Sequence, residues 1–109
     1  MALAHVTSGQ SVALTRAGED TTQFSAIALA KTAQLELIRL VLPAGKEMPK
    51  HHVKGEITFQ CLSGRVAFIT GATTTTLNGG EMLYLDGGVP HAVRALADSV
   101  ALVTIILRH

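Results

Sequence analysis

The segment "LPAGKEMPKHHVKGEITFQCLSG", Leu42 to Gly64, gathers residue types that do chemistry. Two adjacent histidines, His51 and His52, follow Pro49 and precede Glu56. Imidazoles and a carboxylate at short spacing can hold a divalent metal ion. They can equally be ordinary polar groups at the corner of a sheet. Strand geometry bears on the choice. Side chains alternate faces, so neighbours in an extended run look to opposite sides.

The elements that must position these residues read as strands. In "AQLELIRLVLP", Leu35, Leu37, Arg39 and Val41 share one face and Glu36, Ile38, Leu40 and Leu42 the other. Both faces are largely apolar, as in a strand buried on both sides. "EITFQCL" puts Ile57, Phe59 and Cys61 on one face and Glu56, Thr58, Gln60 and Leu62 on the other. "RVAFIT" comes directly after it, which predicts a tight hairpin at "LSGR". Gly71-Ala72 and Asn78-Gly79 flank a threonine-rich strand, and Asp86-Gly87-Gly88 with Pro90 marks a turn before "HAVRAL". "SVALVTIIL" is a long apolar strand. Nearer the start, "QSVALTR" and "TTQFSAIALAKTA" are read as strands, the second against the helix preference of its alanines. Short strands punctuated by turns at regular intervals predict an all-β sandwich or barrel.

The 109 residues make a single domain, with residues 1–34 expected to add N-terminal strands, available to a dimer, and residues 35–109 to form the barrel. A net charge of +1 favours neither nucleic acid nor an anionic membrane. No run approaches about 18 apolar residues, so no membrane span is expected. One cysteine excludes a disulfide framework and fits a reducing, cytoplasmic setting, and the first residues lack the pattern of a secretion signal. With 48% hydrophobic and only 16% charged residues, part of the surface is expected to be covered in a homodimer. There is no G-x-S-x-G elbow and no close carboxylate pair, and 4% aromatic residues offer no stacking platform for single strands. The paired glycines open no helix and cradle no phosphate. Cys61 is read as a small buried hydrophobe, and Met48 and Met82 as core fillers.

Two motifs carry a family resemblance. In the first, Gly45 is separated by five residues from His51, and Gly64 closes the segment; "LPAG" at Leu42 to Gly45, with Pro49 and His51, completes the phrase. In the second, "GEMLYLDGGVPH" supplies Gly80, Gly88 and His91, with Asp86 in a proline's place and Ala95 in an asparagine's. Over about Leu35 to Ile106 the chain resembles a small single-domain cupin of the RmlC-like, cupin-2 type. The resemblance implies a jelly-roll barrel, a double-stranded β-helix. It also implies a divalent metal held by two histidines and a glutamate of the first motif and one histidine of the second.

Carried over by position, the outer two ligands are His51 and His91, while the second histidine falls on Val53 and the glutamate on Ile57. His52 and Glu56 each lie one place off. A bulge at Lys54-Gly55 would reset the phase and complete a set of His51, His52, Glu56 and His91 for iron, manganese, nickel or zinc. Without it, only His51 and His91 face each other, over an apolar small-molecule pocket lined by Val53, Ile57, Phe59, Phe68, Leu83 and Val93. Arg94 falls on the face away from that pocket. Three functions stand open: a small-molecule-binding cupin with a degenerate metal site, a metal-dependent enzyme of dioxygenase or isomerase type, and a non-catalytic dimeric interaction module.

Overall fold

The computed structural model describes residues 5–109. Nine strands form in chain order: β1 (Ser25–Lys31), β2 (Leu35–Leu42), β3 (Glu47–His51), β4 (Ile57–Ser63), β5 (Arg65–Thr70), β6 (Thr73–Asn78), β7 (Glu81–Leu85), β8 (His91–Ala95) and β9 (Ser99–Ile106). They make two antiparallel sheets, ordered β1-β2-β9-β4-β7 and β3-β8-β5-β6. The chain is an all-β jelly roll, as its alternating pattern predicts. No helix among the described residues is long and apolar enough to cross a membrane.

Alternation decides what lies between the sheets. Ile38, Leu40 and Leu42 of β2, Ile57, Phe59 and Cys61 of β4, and Ala101, Val103 and Ile105 of β9 belong to one apolar cluster. Val66 and Phe68 of β5, Leu77 of β6 and Val93 and Ala95 of β8 close it from the other sheet. Phe59 and Phe68 meet edge to face across the gap, their ring centres 5.4 Å apart, a favoured aromatic geometry. Cys61 is buried, and burial, with Glu81 nearby, pushes its thiol up, away from the reactive thiolate.

Two sequence expectations are corrected. "LSGR" is not a hairpin, because β4 pairs with β7 and β9 whereas β5 pairs with β6 and β8. The turn is a corner that passes the chain from one sheet to the other. Gly64 makes it with φ of 88°, and a Cβ there would strike Ser99 and the Asp98 carbonyl. "QSVALTR" is not a strand either. Of the expected N-terminal strands, only the one inside "TTQFSAIALAKTA" forms, as β1, which hydrogen-bonds to β2 in the same sheet; residues 1–4 lie outside the described ones. The stretch before β1 is fastened by Arg39, which is 4% exposed on the outer side of β2. Its Nε donates to the Leu14 carbonyl at 2.9 Å, and its two terminal nitrogens donate to Glu19 at 2.8 and 2.5 Å. A buried guanidinium needs such a full set of acceptors.

Candidate functional site

Two histidines meet where β3 and β8 run side by side. His51 ends β3, His91 begins β8, and the two are register partners. Their ring centres lie 4.4 Å apart, with planes tilted by 57°. Pro49 is tolerated two residues earlier because β3 is an edge strand, where one missing N–H costs little.

Both rings are oriented in the same way. The Nδ1 of His51 lies 3.0 Å from the Pro49 carbonyl, and the Nδ1 of His91 lies 3.0 Å from the Val89 carbonyl. A carbonyl oxygen only accepts, so each Nδ1 carries the hydrogen. In the neutral rings each Nε2 is then a lone-pair acceptor. Phe68 stacks on His91 at 5.4 Å with planes only 12° apart, fixing that ring from below. His51 is exposed and His91 is buried, so the pair runs from the mouth of the barrel to its wall.

The pair borders a cavity of about 90 Å³ between the sheets. Its other lining residues are all apolar: Ile38 and Leu40 of β2, Met48 of β3, Ile57 and Phe59 of β4, Val93 of β8, and Val103 and Ile105 of β9. Of the six pocket residues read from the sequence, Ile57, Phe59 and Val93 line it directly. Phe68 sits behind His91. Val53 and Leu83 pack against the core without lining the cavity. Val53 is displaced because β3 stops at His51, and strand alternation does not extend beyond that residue. Its carbonyl instead accepts the Gly88 N–H at 2.7 Å. Sequence reasoning missed Ile38, Leu40, Met48, Val103 and Ile105, although the period-two pattern of β2 and β9 contains all of them but Met48.

His52 and Glu56 do not join the pair. Glu56 is held by Arg108, whose guanidinium donates to its carboxylate at 2.7 Å and lowers its pKa. His52 is exposed and borders a different groove with Glu36, Lys54 and Arg108. Among the described residues no three histidine, cysteine or acidic side chains come together in a way that could hold a metal. The irregularity in pairing falls between Met48 and His51, before the histidines, not at Lys54-Gly55. Gly55 is instead pressed against the Ile106 backbone, and the Glu56 carbonyl accepts the Ile106 N–H at 3.0 Å. That contact fixes where Glu56 points. Arg94 is exposed and pairs in register with Glu47, on the side away from the cavity.

Electrostatics favour a neutral His91. Burial lowers the pKa of His91, and the neighbouring His51 and His52 push it the same way; only the bond to Val89 opposes them. The unfolded chain, with an ordinary His91 near 6.5, therefore takes up this proton at higher pH than the folded one. The contribution of His91 to stability is intact above that value and is lost progressively as pH falls from it through the folded pKa. Thermal melts across pH 8 to 5 should show this decline, and His91→Gln should flatten it. An equally steep decline in the variant would assign the effect to other groups.

Comparison with known proteins adds to this geometry. The model of a family described as a cupin domain matches residues 38–107. A conserved protein of unknown function from Streptococcus pyogenes is 19% identical and superposes with a TM-score of 0.83 over 100% of this chain and 96% of its own. An RmlC-like cupin protein from Desulfovibrio desulfuricans is 27% identical, with a TM-score of 0.73 over 94% and 97%. The DMSP lyase DddQ from Ruegeria pomeroyi is 25% identical, with a TM-score of 0.68, over 76% of this chain but 46% of the lyase. No curated protein matches the chain.

Proposed function

Because this chain belongs to the cupin family, we propose that it is a metal-independent binding cupin whose barrel takes a small, largely hydrocarbon molecule. The observation that carries the reading is the cavity itself: about 90 Å³, walled by apolar side chains, with two histidines as its only ionisable groups among the described residues. Family members commonly use this place in the barrel for a metal. Here the donor set does not fit one. Two imidazoles remain, Val53 and Ile57 stand in the other two ligand positions, and the carboxylate one place off, Glu56, is engaged by Arg108. Two neutral nitrogens without an anionic ligand hold a divalent ion weakly.

Xenon tests the pocket without involving the histidines, since dry apolar cavities of this order take up xenon. Under xenon pressure the methyl signals of Ile38, Leu40, Ile57, Val93, Val103 and Ile105 should shift and saturate together. No shift would sink the reading. Elemental analysis of untagged protein incubated with iron, manganese, nickel or zinc should find far less than one ion per chain. Stoichiometric retention would favour the metal-dependent enzyme instead.

The homodimer fits the outer face of the five-stranded sheet. Register places Tyr84, Thr58, Thr104 and Leu37 in one row and Met82, Gln60, Leu102 and Arg39 in the next, where Arg39 is already covered by Leu14 and Glu19 and the rest are uncharged. Met82 and Tyr84 are 52% and 57% exposed, which supports covering by a second copy of the same face. Sedimentation should show a dimer at micromolar concentration, and Met82→Lys with Tyr84→Lys should shift it at least tenfold toward monomer. A monomeric parent protein would end this part of the proposal.

A further inference from the structure

We propose that the pocket selects ligands whose polar end is a neutral hydrogen-bond donor, an alcohol or a primary amide, and rejects anions and groups that only accept. The inference rests on the binding reading above and adds its chemistry. Each Nδ1 is committed to a backbone carbonyl two residues back, His51 to Pro49 and His91 to Val89. Each neutral ring therefore offers the ligand a lone pair and no hydrogen. The two rings stand side by side at the cavity, with ring centres 4.4 Å apart. Among the described residues no other lining side chain carries nitrogen or oxygen, so none of them donates.

The consequences for a ligand come from desolvation. A carboxylate entering this cavity loses its water and gains no donor, and burying an unpaired charge is the most expensive outcome. A ketone or ester oxygen meets two lone pairs and leaves all three acceptors unsatisfied. A hydroxyl satisfies one ring. A primary amide carries two N–H groups on one nitrogen and satisfies both, while its carbonyl can stay toward the exposed His51 side and water. Sites that hydrogen-bond a substrate group discriminate strongly against analogues lacking it, because their own polar atoms are then left unpaired.

Three molecules of one shape separate these cases: isobutyramide, methyl isopropyl ketone and isobutyrate. Each is titrated into the full chain at pH 8 and followed by the ring proton signals of His51 and His91 and the methyl signals of the cavity. Isobutyramide should bind at least tenfold more tightly than the ketone, and isobutyrate should not saturate. In His51→Ala, an exposed position whose change spares the core, the amide-to-ketone ratio should fall at least threefold. Equal or tighter binding of the ketone or of isobutyrate overturns the selectivity while leaving the pocket reading intact. So does an unchanged ratio in the variant, and so does failure of all three where xenon still enters. Failure of xenon itself removes both.

Discussion

Gly55→Ala should destabilise the protein on the order of 4 kcal/mol or more, a loss reserved for a few severe mechanisms. The cause is contact with backbone, which cannot rotate aside. A Cβ at this position would overlap the carbonyl oxygen and carbon of Ile106. The same strand end gives a hydrogen bond, the Ile106 N–H donating to the Glu56 carbonyl at 3.0 Å. Gly87 presses on the other side, where a Cβ would strike the Lys54 carbonyl. The Lys54-Gly55 link is thus clamped between β9 and the turn before β8. Moving it would displace the start of β4 and, with it, Ile57 at the cavity wall. Chemical denaturation should report the loss, and Gly45→Ala offers the comparison. Gly45 has open space around its missing Cβ and only its φ of 85° to contend with, so its cost should be clearly smaller. Equal costs at the two positions would remove the clamp from the explanation.

Phe68→Ala comes next, with an expected cost of about 3–5 kcal/mol, the usual range for deleting a buried ring. Phe68 is among the largest fully buried side chains, and it touches both the core and the site. Its edge meets Phe59 across the sheets, and its face supports His91. Beyond the stability loss, the His91 ring signals should broaden or move as the ring loses its stacked neighbour, and xenon uptake should rise as the cavity grows. Phe68→Leu should recover most of the stability but not the ring signature, because a branched aliphatic fills space without offering a flat face. A variant with unchanged His91 signals would show that the Val89 bond alone orients that ring.

The histidine pair and the architecture are legible in the sequence because they rest on signals that alternation preserves. His51 and His91 stand at fixed offsets from Gly45 and Gly88, and β4 separates its buried Ile57, Phe59 and Cys61 from Thr58 and Gln60. The cavity wall is legible only where one face is polar. Both faces of β2 are apolar, so nothing in "LELIRLVL" distinguishes Ile38 and Leu40, which line the cavity, from Leu37 on the outside. The corner at Gly64 escapes a local reading because a turn signal announces a reversal of direction without naming the partner. A hairpin and a passage between sheets look alike in four residues. The stretch "QSVALTR" has strand propensity, yet its place is set by Arg39, twenty-odd residues further on, through acceptors at Leu14 and Glu19. Long-range fastening of that kind leaves no local trace. The fate of Glu56 is similar, since its partner Arg108 lies beyond the end of β9.

The position of β9 has a bearing on how the molecule is made. It is the last strand in order, yet it lies at the centre of its sheet, between β2 and β4. While the polypeptide is being synthesised, β2 and β4 each expose an unsatisfied edge until residues 99–106 emerge from the ribosome, so the cavity cannot close before they do. Closing late through distant pairings is slow and leaves sticky edges uncovered, so a chain cut before Ser99 lacks the strand that joins β2 to β4 and the wall that Val103 and Ile105 give the cavity.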